Sequence, residues 1–315
     1  MCRAKEHRPR NDIRGNEMSE DILLIGTGAL ATLFAARLGE AGHRVSMLGT
    51  WKDGLQALSE NGARITEADG IERAFQVRAT NDPDEVKGVK RAIVLVKAWQ
   101  TERAANQLKG ILAPDGIALT LQNGLGNRER LSRDLGAGRV ALGITTTGAT
   151  LLGPGHVKTG GEGIISLEQN PALAPLEAAL RSSNFNLQVV ADARSLMWGK
   201  LVVNAAINPL TALLRVPNGE LLNHPWARKA MSALARETAQ VAVAEKIRLP
   251  FEDPARAAEE VARKTAKNLS SMLQDVQRGS RTEIDAICGA VTKRGEQRGV
   301  ETPYNRSCWQ LVKAM

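Results

Sequence analysis

The feature that most constrains this chain is a short apolar run that leads directly into a glycine-rich turn. Asp21–Ile25 has the composition of a buried parallel strand, and a helical pattern follows the turn. The turn has the pattern G-x-G-x-x-A and consists of Gly26, Thr27, Gly28, Ala29, Leu30 and Ala31. In this pattern the glycines permit a tight turn and the close approach of a pyrophosphate to the backbone. We therefore predict that free N–H groups at the helix start bind a dinucleotide; a purely structural turn is the alternative.

Strands and helices alternate after this turn. Apolar runs at His43–Leu48, Ala92–Val96 and from Ile117 onward have the character of further strands, and helical patterns lie between them. This alternation indicates a parallel sheet that is covered by helices. Ligands of such sheets bind at the carboxyl ends of the strands, where Lys97 and Asn123 fall. Each of these two residues can instead be a solvent-facing cap or turn residue.

The second half of the chain begins with a glycine-rich stretch at residues 153–163 that predicts a hairpin. Strands are expected at Ile164–Leu167 and Asn186–Val190, and helical patterns dominate from about Asp192. The predicted helices are the segment around Lys200, Pro225–Lys246, Pro254–Asp275 and Arg281–Gly299.

These patterns predict an α/β fold with two domains. The first, at residues 19–190, is a Rossmann-like dinucleotide-binding domain, and the second, at 191–315, is an all-α domain that binds substrate. Residues 1–18 are polar and charged without periodicity, and we predict a disordered extension there.

A polar stripe marks the first helix of the second domain. Lys200, Asn204 and Asn208 lie four residues apart among Leu, Val, Ala and Ile, so they share one helix face. Such a stripe must face solvent, a paired neighbour or a cavity, and a solvated helix edge is the alternative to a binding site. A second set at helical spacing consists of Asn268, Ser271 and Asp275. Asp275 in that set can also be only a helix-end partner.

Composition narrows the functional classes. A net charge of +8 is compatible with nucleic-acid binding, but the basic residues are spread along the chain and no zinc-finger spacing accompanies them. We expect an anionic small molecule rather than nucleic acid, and no metal. The three cysteines show no CxxC spacing, which is typical of a reducing compartment, here the cytoplasm. The first apolar run is too short to span a bilayer, so no membrane is expected.

The order of motifs along the chain resembles the ketopantoate reductase family. The motifs are Gly26–Ala31, Val96–Gln100, Leu121–Gly126, Gly143–Ala149, Gly199–Leu201 with Asn204–Ala212, Asn268–Asp275 and Arg281–Asp285. The resemblance covers the chain from about residue 22 to the C-terminus. It implies the reduction of ketopantoate to pantoate with NADPH, on the route to pantothenate and coenzyme A.

The resemblance also implies roles for single residues. Lys200 would be the proton donor. The substrate would be held by Asn123, Asn204, Asn208, Asn218 and Ser271. The cofactor would be bordered by Gly26, Thr27, Gly28, Ala29, Leu30, Ala31, Lys97, Asn123, Ala149 and Glu283.

The end of the second predicted strand bears on the choice between NADP and NAD. An acid there holds the ribose 2′-hydroxyl and repels a 2′-phosphate, and Gly49–Lys52 contains no acid. Lys52 can pair with a phosphate, so NADP is favoured, although Asp53 lies just beyond. Many family members carry an arginine where this chain has Thr50. An ammonium lacks the bidentate fork of a guanidinium, so we expect weaker NADP selectivity if Lys52 substitutes.

The expected chemistry follows from charge. Hydride addition to a 2-keto carbon leaves negative charge on the oxygen, and Lys200 can supply both a positive charge and a proton there. Partial burial would lower its pKa toward the operating range. Two alternatives stay open: a family member that reduces a different 2-keto acid, and a non-catalytic dinucleotide-binding redox sensor. The sequence also leaves open whether the protein forms a homodimer.

Overall fold

The structure is a computed structural model that describes residues 21–161 and 163–315. The extension predicted at residues 1–18 lies outside the described residues. Twelve strands form two sheets in this part of the chain. In chain order they are β1 (Ile22–Ile25), β2 (Val45–Leu48), β3 (Ala63–Thr66), β4 (Glu72–Phe75), β5 (Arg78–Thr80), β6 (Val89–Val94), β7 (Leu112–Thr120), β8 (Val140–Thr145), β9 (Ala149–Gly153), β10 (His156–Thr159), β11 (Ile164–Glu168) and β12 (Asn186–Val190).

Helices follow and flank these strands. In chain order the α-helices are α1 (Ala29–Glu40), α2 (Lys52–Asn61), α3 (Thr101–Ile111), α4 (Asn127–Leu135), α5 (Ala174–Ser182), α6 (Ala193–Leu214), α7 (Glu220–Asn223), α8 (Pro225–Ala244), α9 (Pro254–Lys264), α10 (Ser271–Gln277), α11 (Cys288–Arg298) and α12 (Pro303–Lys313). From Ala193 onward the described secondary structure is helical, whereas every strand precedes it. The predicted fold class, a Rossmann-like first part and a helical second part, is confirmed.

The larger sheet has the strand order β12-β11-β8-β7-β6-β1-β2-β5. All neighbours from β8 to β5 pair in parallel, and β11 pairs antiparallel with β8. The carboxyl ends of β1, β2, β6, β7 and β8 therefore lie along one edge of the sheet. This edge carries the loops in which the sequence predicted ligand-binding residues.

Both faces of this sheet are buried, which explains why β1 is apolar at every position. Ile22 and Leu24 belong to the apolar cluster on the side of α1 and α5, whereas Leu23 and Ile25 belong to the cluster of α3 and α4. The smaller sheet, in the order β4-β3-β10-β9, packs against α1.

Helix α6 is the centre of the helical part. It contacts α8, α9, α10 and α12, and its other end reaches β8 and β11 of the large sheet. Val202, Ala205 and Ala206 are fully buried. A helix that is apolar on most of its sides must pack against neighbouring elements on most of them. Pro209 has no N–H to donate to the Ala205 carbonyl, and the Cys288 Sγ lies 3.9 Å from that oxygen instead.

Two helix predictions were wrong at their bounds. The segment predicted as one helix at Pro254–Asp275 is broken between α9 and α10, so Asn268 lies in a loop and not on a helix face with Ser271 and Asp275. The break is stabilised by tertiary contact, since the Asn268 carbonyl accepts a hydrogen bond from the Asn218 N–H at 3.0 Å.

The helix predicted at Arg281–Gly299 begins only at Cys288. Residues 281–287 instead form turns against the first part of the chain, where the Ala286 carbonyl accepts from the Leu125 N–H at 2.9 Å. Helix α12 was not predicted. Within the described residues, 21–161 and 163–315, no helix is long and apolar enough to cross a membrane.

The start of α10 offers a test of how the helical part is held in place. Ser270 is buried, and its Oγ accepts from the Leu273 N–H at 3.1 Å and from the Thr211 hydroxyl of α6 at 2.7 Å. Ser270→Ala removes this N-cap, and we expect the free energy of unfolding to fall by about 1 to 2 kcal/mol in urea denaturation. The exposed Ser307→Ala on α12 is the control and should be nearly neutral. Equal effects of the two substitutions would contradict the role of the cap.

Candidate active site

The glycine-rich turn between β1 and α1 has the geometry of an anion site. Gly26 has φ +129°, and a Cβ there would lie 3.3 Å from the backbone of Leu95 and Val96. A Cβ on Gly28, by contrast, would meet nothing within 4 Å, so the backbone can be approached there. No side chain caps the start of α1 and no acidic residue occupies its first turn. The first N–H groups of α1 therefore fit the phosphates of a dinucleotide.

A polar cleft of about 200 Å³ lies beside this turn, between the carboxyl edge of the large sheet and the helical part. It is lined by Leu30, Asn123, Thr145, Thr146, Thr147, Lys200, Asn204, Asn208 and Ser271. Six of these residues were predicted as site residues from the sequence of distant segments. The polar stripe of α6 thus faces a cavity and not a solvated helix edge.

Lys200 is the cationic residue among those that line the cleft. Its Nζ donates a hydrogen bond to the Thr145 carbonyl at 2.6 Å, which fixes the ammonium at the end of β8. Burial lowers the pKa of Lys200 to about 8, and the negative charge of Glu283 opposes that decrease. The group is therefore protonated at neutral pH but can release its proton at modest cost.

Glu283 is buried and joins the two parts of the chain. One carboxylate oxygen accepts from the Ala98 N–H at 2.9 Å, and the other lies 3.4 Å from the Asn123 Nδ2 and 3.8 Å from the Lys97 Nζ. The carboxylate thereby orients Asn123 at the cleft. Its negative charge raises the pKa of Lys200 against the effect of burial.

Asp275 contributes more than the helix-end contact considered from the sequence. Its buried carboxylate pairs with the Lys97 Nζ at 2.6 Å, and the Arg278 guanidinium is 3.6 Å away. Lys97 follows β6, so this ion pair joins the carboxyl edge of the sheet to α10. It also holds α10 where Ser271 lines the cleft.

A hydrogen-bond network that was not predicted fixes the backbone at Asn123. The Gln122 amide donates to the Val96 carbonyl and to the Thr101 hydroxyl, each at 2.9 Å. Thr101 in turn donates to Asn127, whose amide donates to the Asn123 carbonyl at 2.8 Å. The sequence signal for this network was the motif Leu121–Gly126, which contains Gln122. Thr145–Thr147 were likewise missed as cleft residues, although their motif was recognised.

Besides Lys97, Glu283 and most of the glycine-rich turn, three predicted site residues do not line the cleft. Asn218 donates to the Thr265 hydroxyl at 2.9 Å, and its buried Oδ1 has no hydrogen-bond partner among the described residues. Ala149 begins β9 and packs against the core of the first part. Lys52 begins α2 with an exposed side chain. No group of three or more His, Cys, Asp or Glu that can hold a metal ion occurs in the described part of the chain.

Comparison with known proteins identifies the family of the chain. Residues 22–172 match the family described as Ketopantoate reductase PanE/ApbA, and residues 192–315 match its C-terminal counterpart. The chain belongs to the ketopantoate reductase family. It is accordingly an oxidoreductase with a Rossmann-like fold, and the resemblance inferred from the motifs is confirmed.

Relatives in this family carry two different names. The 2-dehydropantoate 2-reductase of Archaeoglobus fulgidus is 37% identical over 301 residues, which cover 93% of this chain and 97% of the relative. A solved PanE/ApbA family ketopantoate reductase from Ralstonia eutropha has a TM-score of 0.87 at 31% identity, with 93% of this chain and 97% of that chain covered. A D-mandelate dehydrogenase structure with NADH and anilino(oxo)acetate also has a TM-score of 0.87, at 28% identity and the same coverage.

The electrostatic coupling of Lys200 to Glu283 can be measured directly. Glu283→Gln removes a negative charge that favours the protonated amine, so we expect the pKa of Lys200 to fall further below about 8. The measurement is a pH titration of the side-chain NMR signals of isotopically labelled lysine, with the Lys200 signal assigned from the Lys200→Arg protein. Glu177→Gln on α5, where the carboxylate pairs with Arg181, should leave the pKa of Lys200 unchanged. A pKa of Lys200 that Glu283→Gln leaves unchanged or raises would contradict this coupling.

Proposed function

We propose that the protein reduces 2-dehydropantoate (ketopantoate) to pantoate with NADPH, a step toward pantothenate and coenzyme A. Family membership and the name of the relatives at 30% identity and above support the substrate. The observation that carries the proposal is the position of Lys200, a lysine of lowered pKa in a cleft with Asn204, Asn208 and Ser271, beside the dinucleotide turn.

In the proposed reaction, bound NADPH supplies a hydride to the C2 carbon of the keto acid. Negative charge develops on the C2 oxygen, and Lys200 stabilises it and transfers its proton to that oxygen, which gives the C2 hydroxyl. The Thr145 carbonyl orients the ammonium before this transfer. A pKa of about 8 suits this role, because the amine regains its proton from water near neutral pH.

The neutral side chains around Lys200 are the proposed substrate contacts. Asn204 and Asn208 can donate and accept hydrogen bonds without added charge, which fits a ligand with a hydroxyl group and a keto oxygen. Ser271, at the start of α10, would contact the carboxylate, and Asn123, after β7, would lie near the reacting carbon. Asn218 lies outside the cleft and remains a candidate through its family motif alone.

The cofactor is proposed to lie along Gly26–Ala31, with Lys97, Asn123, Ala149 and Glu283 at its border. The open approach to Gly28 supports this placement. NADPH is preferred to NADH because Gly49–Lys52 has no acid to hold a 2′-hydroxyl, with Lys52 as a candidate for the 2′-phosphate. We keep the cytoplasm as the proposed compartment, since Cys288 and Cys308 are free thiols.

A second candidate is the reduction of another 2-keto acid. It is favoured by the equally high structural similarity to the D-mandelate dehydrogenase, whose structure contains an aryl-substituted ligand, anilino(oxo)acetate. Comparison of kcat/KM for ketopantoate and a panel of branched and aromatic 2-keto acids separates the two candidates. A redox sensor would bind NADPH and turn over none of them.

The role of Lys200 is tested by substitution. Lys200→Ala should lower kcat for ketopantoate reduction by roughly 10²- to 10⁴-fold, because the transition state loses its proton donor. NADPH consumption is the measurement, and circular dichroism checks that the variant folds. Lys264→Ala, an exposed lysine at the end of α9, is the matched control and should keep full activity. Unchanged turnover by Lys200→Ala would exclude the proposed role.

A further inference from the structure

We propose that Arg103, rather than Lys52, binds the 2′-phosphate of NADPH. This inference rests on the proposed function, because it presupposes that the nicotinamide dinucleotide binds at the turn after β1. Arg103 lies in the first turn of α3, and its Nη1 donates a hydrogen bond to the Thr50 Oγ1 at 2.9 Å. Thr50 lies two residues after β2, at the position where, by the family resemblance, many members carry an arginine. The structure thus brings a guanidinium to that point from another element.

The topology explains how α3 can reach the end of β2. Strand β1 lies between β2 and β6 in the sheet, and the glycine-rich turn follows β1. The chain that leaves β6 enters α3 at the same edge, and Arg103 of α3 reaches Thr50. In folds of this kind the adenosine ribose lies at the end of the second strand, where its 2′ substituent is recognised.

The charge of Arg103 is available for a ligand. Among the described residues, no carboxylate lies within ion-pair distance of Arg103, and its neighbour Glu102 pairs with Arg133 at 3.0 Å. The Arg103 Nε is buried and has no hydrogen-bond partner there. An unpaired buried donor is costly, and a phosphate that accepts from Nε and one Nη in a bidentate arrangement would remove this cost.

Lys52 is the weaker candidate on chemical grounds. Its side chain is exposed at the start of α2, and an ammonium binds phosphate as a point charge without a fixed fork. Asp53, in the same first turn, also lies next to it in sequence and offsets its charge. Arg103 instead carries a planar guanidinium, the group that many family members have at the position of Thr50.

A purely structural role for Arg103, in which it only holds Thr50, predicts a different result. Thr50→Val removes the acceptor of the hydrogen bond but leaves the guanidinium in place. If Arg103 binds phosphate, Thr50→Val should keep most of the affinity for a 2′-phosphate that Arg103→Ala loses. If the contact is only structural, the two variants should behave alike.

The test is calorimetric titration of the full-length protein with two adenosine phosphates, 2′,5′-ADP and 5′-AMP, which differ in the 2′-phosphate, and with NADPH and NADH. We expect Arg103→Ala to weaken the binding of 2′,5′-ADP and NADPH by roughly 10- to 100-fold, the range of a charge-assisted hydrogen-bond pair, and to leave 5′-AMP and NADH unchanged. Arg103→Lys should give an intermediate loss for the 2′-phosphorylated ligands. Lys109→Ala, which removes a positive charge about 9 Å further along α3, is the control and should bind all four ligands as the native protein does.

Several results would overturn the inference. Equal losses for 2′,5′-ADP and 5′-AMP would assign Arg103 a structural role. Native-like binding by Arg103→Ala, with the selective loss appearing in Lys52→Ala, would assign the phosphate to Lys52. In both cases the native protein still binds NADPH, so the proposed reductase function is unaffected. A native protein that binds neither dinucleotide would overturn that function as well.

Discussion

The hydrogen bond from Lys200 to the Thr145 carbonyl is the contact on which the site depends. It places a cation at the end of β8, although the helix that carries it is largely apolar and packed into the helical part. An ammonium in such surroundings loses hydration, which disfavours its charged form, while the nearby Glu283 charge favours it. The balance of these two effects gives a pKa close to neutral pH. The same burial that anchors α6 therefore also makes Lys200 suitable as an acid.

The two parts of the chain are held together by charges at the site itself. Asp275 pairs with Lys97, and Glu283 accepts from the Ala98 backbone and contacts Asn123. Each of these contacts joins the helical part to a loop at the carboxyl edge of the sheet. Because the acids are buried, their positions are tightly coupled to the fold of both parts. The side chains that we propose for cofactor and substrate binding are consequently held in place by contacts within the protein.

The sequence predicted those features that local pattern determines. The strand, turn and helix around Gly26–Ala31 follow from apolar runs and glycine positions, and the polar stripe at Lys200 follows from helical spacing. Features set by distant contacts were not predictable from pattern. Lys97 and Asp275 are 178 residues apart, and nothing near Asp275 indicates its partner. The Thr145 acceptor is a backbone carbonyl, which any residue type provides. The break before α10 likewise depends on a loop contact from Asn218.

The position of Lys200 is fixed by the fold, because α6 packs against several other helices and the Thr145 carbonyl holds its Nζ. The central claim, that Lys200 is the acid, is tested most directly by the pH dependence of kcat/KM for ketopantoate reduction. In the native protein kcat/KM should fall as pH rises through about 8, because Lys200 loses its proton in the free enzyme. In Lys200→Ala, the small residual activity should no longer show this decrease. A decrease centred near the same pH in Lys200→Ala would contradict the claim.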